Sequence, residues 1–158
     1  MKKMMLILAI LLPMLALPVI ADNITVTADV PTYVSVVFNY NTVSFGAVQP
    51  GSTDVPAPGQ ANGIYNVTVK SNLELNVIAY RSAWSPYDGL TLKFGVAVDS
   101  LFLDPKFITT KILTTDPQVV GGISATDGTH YHGYWLTVPT TQAPGSYSTT
   151  VTITYQPA

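Results

Sequence analysis

Apolar and polar residues alternate with a period of two at both ends of the chain. Residues 22–30 read Asp-Asn-Ile-Thr-Val-Thr-Ala-Asp-Val, with Ile24, Val26, Ala28 and Val30 on one face and Thr25, Thr27 and Asp29 on the other. That is the pattern of a half-buried strand. Near the C-terminus, Tyr147, Thr149, Val151, Ile153 and Tyr155 oppose Ser148, Thr150, Thr152 and Thr154. Tyr65, Val67 and Val69 likewise oppose Asn66, Thr68 and Lys70. The predicted strands are 23–30, 33–40, 43–48, 64–71, 73–80, 90–98, 131–138 and 146–155. Pro50-Gly51, Pro56-Ala-Pro-Gly59, Pro86-Tyr-Asp-Gly89, Asp127-Gly128 and Pro144-Gly145 supply turns between them. Residues 101–115 carry two signals. Asp104-Pro105 fits a helix start, whereas the β-branched run after Phe107 fits a strand, and the strand is preferred. Short strands at this spacing predict an all-β fold, an antiparallel two-sheet sandwich of the jelly-roll or Ig-like kind. No internal repeat or second domain is evident.

The N-terminus adds a destination. Lys2 and Lys3 lead an apolar run over residues 4–20, and Val19-Ile20-Ala21 offers small residues for cleavage. The expected organisation is a signal peptide over 1–21, an N-terminal strand over 22–31 ending in Pro31, and a sandwich domain over 32–158. The chain is thus expected to be secreted, extracellular or at the cell surface. Pro13 and Pro18 make the apolar run a poor membrane helix, and no second run of comparable length follows.

Composition narrows the chemistry. Only 10% of residues are charged, against about 25% in ordinary soluble domains, while Thr contributes 20 residues and Ser 10. Residues 22–158 hold five Lys/Arg and nine Asp/Glu, a formal charge of −4. With no basic patch, nucleic acid is not an expected partner. Cysteine is absent, so disulfides, thiol nucleophiles and thiolate metal sites are excluded. His130-Tyr-His132 would put two imidazoles on one side of a strand, but no further His or Cys exists to complete a metal site. These histidines are read as exposed polar positions at a strand start, and no metal or cofactor is expected. No Gly-x-Ser-x-Gly elbow occurs and Glu74 is the sole glutamate, so no enzyme is expected. Asn23-Ile-Thr25 and Asn66-Val-Thr68 are glycosylation sequons. Lys70, Lys93, Asn72, Asn76 and Glu74 supply the residue types of an isopeptide link without a recognisable pattern. Trp84, Tyr87 and Trp135 raise a sugar-stacking alternative, with Trp84 and Tyr87 in a predicted loop, while Trp135 alternates with Tyr134 and Leu136 on a strand and must point outward or into another subunit.

Two segments carry a resemblance. Val43-Ser-Phe-Gly-Ala-Val-Gln-Pro-Gly51 and Ala143-Pro-Gly-Ser-Tyr-Ser-Thr-Thr-Val-Thr-Ile-Thr-Tyr155 resemble the strand-and-turn and closing strand of secreted fibre-forming β-domains. These include spore coat U-type and fimbrial domains, archaeal thread and bundling-pilus subunits, and TasA-like biofilm fibre proteins. The resemblance implies a jelly-roll-like subunit of an extracellular filament, pilus or surface coat. It also implies donor-strand complementation, in which Ile24, Val26, Ala28 and Val30 of one copy would enter the next copy and Pro31 would act as hinge. The implied partners are further copies, head to tail, with surface glycans or other cell-envelope proteins beside them. The strand at 146–155 alternates equally well and is an alternative donor. The rival expectation is a monomeric secreted carbohydrate-binding or adhesin module that uses Trp84 and Tyr87.

Overall fold

The computed structural model describes residues 27–97 and 109–158, and every structural statement below concerns these residues. Contacts divide the chain into two units, Met1–Val30 and Pro31–Ala158. Of the first unit, residues 27–30 are described. They are irregular and exposed, with Val30 78% accessible. Ile24 and Val26 lie outside the described residues.

The second unit is all β. Its strands are β1 (Val34–Phe38), β2 (Val55–Pro56), β3 (Asn66–Ser71), β4 (Leu75–Arg81), β5 (Thr91–Ala97), β6 (Thr109–Ile112), β7 (Gln118–Ile123), β8 (Thr126–Thr137) and β9 (Val151–Pro157). One short 3-10 turn spans Gln60–Asn62. The larger sheet runs β1-β3-β8-β5-β6, with β2 also paired to β8, and the smaller runs β7-β4-β9. All pairings are antiparallel. The predicted two-sheet sandwich is therefore the observed architecture.

β8 is the axis of the larger sheet. Its first half pairs with β3 and its second half with β2, while β5 runs along the other side of the second half. Both faces are covered over residues 132–136, all of them buried, as in a central strand. Its inward residues, His130, His132, Tyr134 and Leu136, share the core with Val67 and Val69 of β3, Phe94 of β5 and Val77 of β4. Val67, Val69, Val77 and Phe94 are fully buried, each contributing roughly 1.5–3 kcal/mol of transfer free energy before ordering costs.

Four sequence expectations need correction. Residues 43–48 form no strand: Gly46 sits at φ 65°, which breaks the extended run, although Val43, Phe45 and Val48 still pack on the core. Asp127-Gly128 is not a turn but lies inside β8, opposite Lys70 and Val69, because β3 supplies a partner for an extended chain there. β7, absent from the predicted set, forms with a register shift at Val77/Ile78 that lets Val120 be buried despite the following Gly121-Gly122. The last strand begins at Val151 rather than at residue 146, with an isolated bridge from Ser85 to Ser148 before it. β6 bears out the preference for strand in the second half of residues 101–115; Asp104-Pro105 lies outside the described residues.

Candidate strand-binding groove

The ladder between β4 and β9 fixes which way each peptide group of β9 points. Ser82 N donates to Thr150 O and Ala158 N donates to Glu74 O, at 2.8 and 3.0 Å. In an antiparallel ladder bonded pairs recur at every second residue. With Ile78 opposite Thr154 and Val77 opposite Tyr155, the even-numbered residues of β9 bond to β4. The N–H and C=O groups of Val151, Ile153 and Tyr155 therefore point to the outer edge. No strand lies beside that edge among the described residues. The same three residues turn their side chains into the core.

Beyond this edge lies a groove of about 1240 Å³. Residues 41–50 and residues 142–153 both line it. Between them it reaches inward side chains of the larger sheet, including Leu92, Tyr134, Leu136 and Val138, together with Trp84. The groove thus opens onto the sandwich interior, flanked by an unpaired edge and by the strand-like but unladdered residues 43–48. An extended segment with small apolar residues at alternate positions matches both demands, since its main chain would meet the edge and its side chains the floor.

A polar network runs inward from two lining residues, Tyr40 and Tyr134. The Tyr40 hydroxyl bonds to Nδ1 of His132 and, at 2.5 Å, to the Tyr134 hydroxyl, while Nε2 of His132 bonds to the Tyr155 hydroxyl at 2.7 Å. Tyr40 leads into the 41–50 wall, Tyr155 belongs to β9, and His132 lies on β8, so one imidazole joins three elements. A neutral imidazole donates from one nitrogen and accepts at the other, so one of Tyr40 and Tyr155 donates to the ring and the other accepts. Burial pushes His132 down to about 3, with His130 adding to the shift. Burial likewise raises the Tyr40, Tyr134 and Tyr155 hydroxyls above their ordinary range. His130 is also buried, is shifted downward by desolvation, and has no partner at either ring nitrogen among the described residues. The expectation of two exposed histidines is therefore overturned: both fall on the inward face of β8. Among the described residues no group of three or more His, Cys, Asp or Glu is placed to hold a metal.

Trp84 and Tyr87 do not form a joint platform. Trp84 is 8% accessible and packs in the core, while Tyr87 is 69% accessible. Arg81 braces their loop, bonding to Leu113 O and pairing with Asp88 at 2.8 Å. The Trp84 indole N–H is buried without an acceptor among the described residues. An unpaired buried donor costs about 1–3 kcal/mol. Trp84→Phe is therefore expected to change unfolding free energy by less than about 1.5 kcal/mol, because relief of that donor offsets the lost ring area. Trp84→Ala should cost about 3–5 kcal/mol. Urea unfolding of both variants checks this, and equal losses would mean the N–H is bonded in solution.

Of the other candidate residues, Pro31 is exposed and its carbonyl accepts from Asn72 Nδ2 at 2.8 Å. Asn66 lies on the outer face of β3, its Nδ2 donating to Gly63 O at 2.8 Å, and Asn39 bonds to its Oδ1. Asn23 lies outside the described residues. Ala28 is exposed, as Val30 is. The groove itself was not visible in the sequence, although the lack of a partner for 43–48 is its trace. Searches against family models, curated proteins and solved structures return no match to this chain.

Proposed function

We propose that this protein is a secreted structural subunit of an extracellular filament or surface coat, in which the N-terminal strand of one copy fills the groove of the next. The observation that carries the reading is the coincidence, in β9, of outward-pointing peptide groups and an adjacent cleft floored by core side chains. Residues 23–30 supply a fitting occupant, with Ile24, Val26, Ala28 and Val30 at alternate positions and no basic residue to desolvate. Insertion would bury four small apolar side chains, roughly 1.5–3 kcal/mol for each Ile or Val and less for Ala, before ordering costs. Head-to-tail contacts of this type do not close on themselves, so they extend.

The test is negative-stain electron microscopy of residues 22–158 beside the same chain lacking residues 22–30. Fibres from the first and single particles from the second are expected. Fibres from both would remove the N-terminal strand as donor, and particles from both would remove self-assembly. The carbohydrate-binding rival loses its platform with the burial of Trp84, and no described feature favours it over assembly.

A further inference from the structure

The root of the N-terminal segment is gripped by one residue. Asn72, in the turn between β3 and β4, bonds to residues 31–33 three times. Its Oδ1 accepts from Tyr33 N at 2.9 Å, its Nδ2 donates to Pro31 O at 2.8 Å, and its own N donates to Tyr33 O at 3.2 Å. The turn that carries it is braced in its own right, since Leu73 N donates to Ser71 Oγ and that hydroxyl donates to Leu73 O. The grip starts at Pro31, where the second contact unit also starts.

The sheet registers place this root at the end of the sandwich away from the groove. Val34 pairs with Ser71, Ser71 with Thr126 at the start of β8, and Leu75 with Pro157 at the end of β9. The groove instead reaches β8 at Tyr134 and Leu136 and β9 at residues 151–153. Thr126 and Tyr134 are eight positions apart in β8, roughly 26 Å of extended chain. Val30 is joined to Pro31, so its Cα stays within about 3.8 Å of the proline Cα. Even a chain folding straight back at Pro31 would bring only Ile24 level with Phe38, the first groove residue met along β1, because each lies seven residues from Pro31. Val26, Ala28 and Val30 would fall short.

We infer that Asn72 is a positioning residue that commits the N-terminal segment to a second copy, by fixing residues 31–33 where the segment cannot fill its own groove. This rests on the reading of residues 22–30 as the groove's occupant, and adds what decides between a neighbour's groove and the chain's own. With residues 31–33 released, the first fixed pairing is Val34 with Ser71. The point of return then moves three residues along, and the same straight-back fold brings Val30 level with Phe38 and carries the residues before it further in. Insertion in cis becomes possible and competes with assembly.

The test compares residues 22–158 with its Asn72→Ala and Asn72→Asp variants, each also made without residues 22–30. Sedimentation gives the critical concentration for fibre growth, and melting is followed below it, where the chains are monomeric. Parent monomers with and without residues 22–30 should melt alike. Asn72→Ala should raise the critical concentration at least about threefold, as a ligand-like segment bound in cis withdraws open grooves. Its monomer should melt about 5 °C higher with residues 22–30 than without them, a gain that a merely structural role for Asn72 would not produce. Asn72→Asp keeps an acceptor for Tyr33 N and should lie nearer the parent. Fibres from Asn72→Ala at the parent's critical concentration, with no melting gain from residues 22–30, overturn the inference and leave the filament reading standing. A parent monomer stabilised by its own residues 22–30 would show insertion in cis despite the grip, and overturns it too. Absence of fibres from the parent removes the filament reading and this inference with it.

Discussion

Residues 22–158 are expected to lose about 1.4 kcal/mol of stability for each pH unit below about 6.5, a decline continuing to about pH 3. The cause is His132, which is wholly inaccessible and hydrogen-bonded to two tyrosine hydroxyls. Unfolded, its imidazole titrates near 6.5; folded, burial holds it down to about 3. Below the unfolded value the unfolded chain takes up a proton that the native chain refuses, so acid favours unfolding. Below the folded value both states are protonated and the slope vanishes. Above about 6.5 neither binds the proton, and His132 contributes no pH dependence. The total amounts to about 5 kcal/mol, comparable with the whole stability of a marginal domain. His130, shifted the same way, adds to it.

Urea unfolding at pH 7, 5.5 and 4 measures the slope. His132→Phe separates the causes. It should be less stable at pH 7, since it strands the Tyr155 hydroxyl and leaves Tyr40 only its bond to Tyr134, yet its stability should fall less steeply on acidification. A variant with the same slope as the parent would place the acid sensitivity elsewhere. The groove is involved as well. His132 ties Tyr40, which precedes residues 41–50 and lines the groove, to Tyr155 on β9.

The sheet-forming pattern was legible wherever alternation was clean. In 65–70 and 73–77 polar and apolar residues separate by parity, and β3 and β4 fall there with shifts of a few residues. Legibility failed where local signals conflict with what a neighbouring strand provides. Asp127-Gly128 has turn chemistry, yet β3 offers a ladder and holds it extended. Gly121-Gly122 weakens any strand pattern, yet β4 pairs with it through a shifted register. Val43 to Val48 shows the converse. Its alternation is strand-like, but with Gly46 left-handed and no ladder beside it, no strand forms. Inward and outward positions also escape a sequence reading once polar side chains satisfy one another. His132 reads as a surface residue until Tyr40 and Tyr155, distant in sequence, converge on it. Trp84 reads as an exposed ring because its loop composition conceals that it belongs to the same buried core cluster as Leu90 and Leu92.

Val151→Pro is expected to abolish fibre formation by residues 22–158 while leaving the subunit folded. The peptide N–H of Val151 faces the outer edge of β9, so its removal spares the bonds to β4. Proline is tolerated at the edge of a sheet, where its ring faces away from the existing ladder. An incoming strand, however, meets that ring where it needs a donor, and loses a ladder bond in a partly desolvated cleft. The substitution also removes a half-buried side chain, which alone costs about 1–2 kcal/mol. Val151→Ala carries that loss without touching the N–H and is the matched control. Circular dichroism and melting should place the two variants close together, with only the alanine chain yielding fibres by electron microscopy. Fibres from both at equal rates would show that no strand adds along β9, and a loss in both would trace assembly to the side chain rather than the edge. Only a split between them ties assembly to the outward peptide groups of β9.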